Sequence, residues 1–222
     1  MAIGSNGICT NPDRGGEPDT WQHSTMIPGI TFTWHHTIPW NCLRAVWDYL
    51  VANQHWDCVK EYLQIISAPN VDGTLLALKR APGIPFRDDG TLLTLLTWQG
   101  WNIVEGPGSE YRMTGDDPGE AYDKWSIIGL SSNQKATVQA VDMVYQAMRR
   151  VQDNANAARM LPAAKAADVL RLQNAFRAQR PTLRGRQPIK WTPDMWEVRT
   201  EGRVNAKAPG VWYTKPAWAK KR

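Results

Sequence analysis

Apolar side chains recurring every three or four residues dominate this chain and restrict it to a packed set of helices. Leu43, Val46, Trp47, Leu50 and Val51 mark one helical face, and Trp56, Val59, Tyr62, Leu63 and Ile66 mark a second. Further on, Val138, Val141, Val144, Met148 and Val151 share a face, and Val169, Leu170, Leu172 and Phe176 follow after a break at Pro162. The Ala-rich stretch 155–167 has a helix-forming composition. Strand signals are shorter: residues 30–34 alternate apolar residues with Thr, and 101–107 read as a strand that turns into a loop. Residues 92–98 fit a short helix or a buried strand equally well. Gly, Asn, Asp and Pro make 1–28 an irregular lead-in, and similar punctuation from 68 to 90 predicts loops around a short apolar piece at 75–78. The expected class is therefore α+β, mostly helical, with a small strand element carrying a histidine pair.

A chain of 222 residues needs only one sizeable core, and 42% hydrophobic against 21% charged residues is ordinary globular usage. The 12 Trp are the outlier, suited to a core with wet edges, a binding surface, or both. The longest apolar runs fall far short of the roughly 20 residues of a membrane span, and no basic flank leads into an apolar stretch at the N-terminus. No membrane span and no cleaved signal peptide are expected. That leaves a cytoplasmic protein, or one delivered into a target cell by a specialised secretion system. Cys9, Cys42 and Cys58 are an odd count, read as reduced thiols with two of them in the core. A metal site built from Cys42, Cys58, His55 and one of the histidine pair lacks the usual knuckle spacing.

Charge divides the chain. Residues 181–222 hold ten Lys/Arg against three Asp/Glu, a net of +7, and the remainder nets −2. The organisation expected is a single globular domain over 1–180 and a basic, Trp-rich C-terminal extension over 181–222. Lys and Arg beside Trp191, Trp196, Trp212 and Trp218 suit phosphate contact and base stacking. A solvated extension, or a segment that docks on an acidic partner, fits the same composition.

His35 and His36 lie between the predicted strand and a helix that Thr37 can cap and whose first turn accepts Pro39. A neutral imidazole serves as a general base or as a metal ligand, and adjacent residues of a strand point in different directions. One histidine can face a metal and the other a substrate; packed, hydrogen-bonded core histidines are the alternative. His23 and His55 have weaker claims, with His55 at an exposed joint between helices. Arg44 either faces phosphate or pairs with Asp48 at i+4. No phosphate-binding Gly loop, nucleophile elbow or dinucleotide fingerprint occurs, which argues against ATP-driven and hydride-transfer chemistry.

The run Thr33-Trp34-His35-His36-Thr37-Ile38-Pro39-Trp40 resembles the histidine strand of HNH-type, ββα-metal nucleases, and Trp101-Asn102-Ile103-Val104-Glu105-Gly106-Pro107 resembles the later Asn segment of their toxin branches. The resemblance covers 30–55 and 98–125. It implies that His36 is the general base and that Asn102 orients its ring. It also implies that His35 and Asp117 or Asp123 hold a divalent ion, Mg²⁺ before Zn²⁺ or Mn²⁺. The chain departs from these families after 107: in place of a closing His-rich helix it has Arg112, Asp116-Asp117-Pro118-Gly119 and Asp123. Arg112 can fork onto a phosphate oxygen. A helix starting at 116–119 and running over 120–128 accounts equally for the Asp residues.

The function expected is a metal-dependent endonuclease of the bacterial toxin type, acting on DNA or RNA and neutralised by a cognate immunity protein. A toxin acting on a small phosphoester or nucleotide, which needs a closed pocket, is one alternative. A non-catalytic partner-binding protein with structural histidines is the other.

Overall fold

Residues 3, 6–9, 15–23, 31–79, 90–107, 131–156, 162–190, 196–199 and 211–214 are described by the computed structural model. They comprise six α-helices, α1 (Trp40–Ala52), α2 (Trp56–Ile65), α3 (Val71–Leu78), α4 (Thr91–Thr97), α5 (Ser132–Asn156) and α6 (Pro162–Leu183). Strands β1 (Phe32–His36) and β2 (Ile103–Pro107) form one antiparallel pair, and β3 (Trp196–Arg199) and β4 (Val211–Thr214) another. The fold is α+β, mostly helical, and the small first sheet carries the histidine pair.

The helical faces legible in the sequence are the ones that bury. α1 puts Leu43, Val46, Trp47 and Leu50 into the core, α2 Val59, Tyr62 and Leu63, and α5 Val141, Val144, Met148 and Val151. Tyr62 stacks on Phe176 of α6 with ring centroids 4.8 Å apart and meets Trp47 edge-on at 5.9 Å. Each such buried side chain contributes about 1.5–3 kcal/mol through loss of apolar surface to water. Glu61 of α2 ties down α6 by accepting from Arg177 at 3.0 Å and Arg180 at 3.1 Å. All three cysteines, Cys9 included, are buried and free.

Several local expectations shift. β1 runs two residues later than the alternation at 30–34 suggested, so both histidines lie inside the strand. Thr37 does not cap α1; the cap position is Pro39, with no side-chain bond to the helix. Residues 71–78, expected to be loop around a short apolar piece, are helical because the Asn70 side chain accepts from Gly73 N–H at 3.0 Å and starts the turn. The ambiguous 92–98 stretch is helix, α4. The helix expected at 116–128 lies outside the described residues.

Two further segments close over the first sheet. α6 runs past residue 180 to Leu183, and Ile189 then bonds along β2: Glu105 N–H donates to the Ile189 carbonyl at 2.9 Å and Ile189 N–H to the Ile103 carbonyl at 3.0 Å. Gly100 permits this approach, because a Cβ there would collide with the Arg186 carbonyl. On the N-terminal side, Gly15 N–H donates to Thr97 Oγ1 at 3.1 Å and Trp98 Nε1 donates to the Gly15 carbonyl at 2.6 Å. Part of the irregular lead-in is thus pinned against α4.

Candidate functional site

The β1–β2 register sets His35 opposite Val104 and His36 opposite Ile103, which places His36 beside Asn102, the last residue of a 3-10 turn over Gly100–Asn102. Two segments far apart in the sequence therefore meet at one strand end. Because side chains alternate along a strand, Trp34 and His36 share one face with their opposite residues Glu105 and Ile103, and His35 points to the other face. A single site using both histidines must sit at the strand end, where the two faces meet.

Both histidines are buried, 3% exposed at His35 and 4% at His36. The His36 ring packs against Trp98 with centroids 5.1 Å apart, and its Nε2 lies 2.8 Å from the Thr97 carbonyl. A carbonyl only accepts, so Nε2 carries the hydrogen and Nδ1 is the basic nitrogen of the neutral ring. Asn102 is fully buried, and its amide goes to the main chain: Oδ1 accepts from Ile38 N–H at 2.6 Å and Nδ2 donates to the Ile38 carbonyl at 3.0 Å. Its own carbonyl accepts from Thr37 N–H at 2.8 Å. Asn102 thus fixes the chain immediately after His36, and the His36 ring takes its Nε2 bond from Thr97.

Arg112, Asp117 and Asp123 lie outside the described residues. Among the described residues, no group of three or more His, Cys, Asp or Glu side chains is placed to hold a metal ion, whether around His35 or around Cys42, Cys58 and His55. Arg44 forms no salt bridge with Asp48 among the described residues and acts on it only through space. The Asp48 carboxylate instead accepts from Cys9 N–H at 2.8 Å. His55 sits at the start of α2, half-buried and stacked on Tyr49 at 5.7 Å, where burial lowers its pKa.

Sequence reasoning missed Glu105 and undervalued His23. Glu105 is 0% exposed in the middle of β2, opposite Trp34. Its carboxylate lies 3.4 Å from His23 Nδ1 and 4.0 Å from Lys190 Nζ. A buried carboxylate needs such partners, since an unpaired one is costly to remove from water. His23 stacks on Trp34 at 4.7 Å, Lys190 Nζ lies 4.4 Å from the centre of the same indole, and Lys190 also donates to the Gln22 carbonyl. Trp21 meets both Trp34 (5.6 Å) and Trp98 (6.2 Å) edge-on, so an aromatic floor runs from His23 to His36. The available signal was a lone Glu inside an apolar run, opposite a Trp in a two-residue alternation.

A cavity of about 380 Å³ lies elsewhere, lined by His55, Cys58, Lys79, Val169 and Gln173 among others. It contains neither histidine of the pair and lends nothing to a closed small-phosphoester site around them. No helix of the described residues is long and apolar enough to cross a membrane. No family model, curated protein or solved structure matches the chain.

Proposed function

We propose that this chain is a metal-dependent nuclease of the bacterial toxin type, hydrolysing phosphodiester bonds of DNA or RNA. The observation that carries the proposal is the register that brings His36 of β1 beside Asn102 at the head of β2. The resemblance to ββα-metal nucleases asks for that juxtaposition of a doubled histidine and a distant Asn.

In this proposal His36 Nδ1 accepts the proton of the attacking water, and Asn102 holds the strand end so that the ring stays aimed. Arg112 pairs with a non-bridging phosphate oxygen. His35 with Asp117 or Asp123 would hold the divalent ion, Mg²⁺ before Zn²⁺ or Mn²⁺, which when bound supplies positive charge for the leaving oxygen. Chain length permits the assembly: ten residues separate Pro107 from Asp117 and span up to about 33 Å, whereas a five-residue ladder is about 17 Å long. The basic 181–222 stretch supplies sequence-independent attraction to the nucleic-acid backbone. A cognate immunity protein would protect the producing cell, and the protein would act after delivery into a target cell.

The burial of both histidines favours a second reading, a non-catalytic partner-binding protein in which they hold the sheet to α4. Incubation of the full chain with supercoiled plasmid and with labelled RNA, in Mg²⁺ with and without chelator, separates the two. Chelator-sensitive cleavage that His36→Gln abolishes supports the nuclease. Absence of cleavage on every nucleic acid, with partner binding intact in His36→Gln, removes it.

A further inference from the structure

Hydrolysis of a phosphodiester needs two proton transfers: one from the attacking water and one to the departing alkoxide. His36 accounts for the first. The geometry points to His23 as the group that makes the second, with Glu105 as the residue that positions it; the substrate class rests on the nuclease proposal above.

His23 and the carboxylate behind it are graded in exposure as such a pair requires. The His23 side chain is 37% exposed and the Glu105 side chain 0%. With Nδ1 3.4 Å from Glu105, the buried carboxylate holds that ring edge and turns Nε2 outward, as a carboxylate does for a working imidazole. Glu17, also solvent-exposed, lies 3.8 Å from Nε2. The ring is held flat on Trp34, tilted by 27°. Beneath it the Trp34 indole N–H is buried with no acceptor among the described residues, a donor for an oxygen that the protein does not supply. Lys190 adds positive charge beside the same indole.

His23 is also on the correct side of the sheet. Trp34 and His36 are two residues apart on β1 and share its face, about 7 Å from one another along the strand. His23 covers the first, and Trp98 flanks the second. The two imidazoles therefore flank one phosphate-sized stretch of the aromatic floor. As the water oxygen bonds to phosphorus, its proton passes to His36 Nδ1. The bond from phosphorus to the leaving oxygen breaks, its electron pair stays on that oxygen, and the oxygen takes the proton from Nε2 of protonated His23. His23 regains a proton from solvent and His36 releases one.

Leaving-group dependence tests this on the full chain. His23→Gln should cleave DNA at least about 100-fold more slowly than wild type, the lower bound for loss of an acid–base group. On bis(p-nitrophenyl) phosphate, whose leaving group departs without a proton, the same variant should recover to within about threefold. Equal losses on both substrates, or no loss on DNA, overturn the donor role. Imidazole ¹⁵N–¹H spectra read the pair without any activity. About two pH units above the ordinary histidine pKa of about 6.5, His23 should carry its hydrogen on Nδ1 in wild type and shift it to Nε2 in Glu105→Gln. An Nε2–H tautomer in wild type overturns the pair even if Glu105→Gln fails to fold. Wild-type chain that cleaves neither substrate overturns the nuclease proposal and the donor role with it, and the spectra still judge the His23–Glu105 assignment.

Discussion

Asn102 and Ile38 exchange two hydrogen bonds, side chain to main chain, at the point where β1 gives way to α1. The amide imitates a strand residue and satisfies both backbone groups of a residue that has no exposure to water. Asn102→Ala leaves the Ile38 N–H and carbonyl buried without partners, and each such group costs about 1–3 kcal/mol. The expected destabilisation is about 2–5 kcal/mol, read as a lowered urea midpoint at constant slope. A loss under about 1 kcal/mol would mean that water or a neighbour replaces the amide, and the strand end is then not held by Asn102.

His36 serves the fold as well as any chemistry. Its Nε2–H satisfies the Thr97 carbonyl beneath Trp98, so His36→Ala removes a ring from a filled site and a donor from a buried acceptor. That variant should lose about 2–4 kcal/mol. His36→Gln keeps an amide donor for Thr97 but has no group that titrates. It should melt within a few degrees of wild type and cleave nucleic acid at least about 100-fold more slowly. Full cleavage by a folded His36→Gln protein would remove His36 as the base.

Much of this arrangement was legible in the sequence where burial and period coincide. α1, α2 and α5 announce themselves through Leu, Val, Trp and Met at helical spacing, and those side chains are the buried ones. α3 was not legible, since only Leu75 of it is buried and its start depends on an Asn70 bond to a glycine N–H. The β1 boundary slipped because His36 occupies an inward position that a count of apolar residues assigns to solvent. His35, His36 and Asn102 stood out by type and context. Glu105 did not, because a single sequence cannot say which segment lies across a strand, and its meaning comes from His23 and Lys190, which reach it from opposite ends of the chain.

Asp48 carries a testable pH dependence. Burial raises its carboxyl above the usual 3.8, against the opposing pull of the Cys9 N–H bond and the Arg44 charge. A carboxyl with a raised folded-state pKa penalises the native state when ionised. The native state takes up the proton first as pH falls, so the penalty disappears between the raised value and 3.8. Asp48→Asn keeps an oxygen for Cys9 N–H and carries no charge. It should be more stable than wild type at pH 7, and the gap should close as the pH approaches 4. Urea midpoints at the two pH values check this, and a gap that widens on acidification would reverse the sign.

The basic C-terminal stretch can be divided at a physical boundary. Truncation after residue 180 removes Leu183 and Ile189, both buried, along with the bonds Ile189 makes to β2, and should abolish cooperative unfolding. Truncation after Lys190 keeps those contacts and the Lys190 approach to Glu105, and it deletes seven Lys/Arg and three Asp/Glu. If the deleted residues bind nucleic-acid backbone, each lost phosphate contact makes the slope of log K against log salt shallower by about 0.9, up to about 6 for all seven cations. Cleavage of saturating substrate should persist, because His36, Asn102, Arg112, Asp117 and Asp123 all precede the cut. A folded protein with an unchanged salt slope would assign the stretch to a protein partner, and retention of that partner by the full chain alone would then identify the immunity-binding or delivery surface.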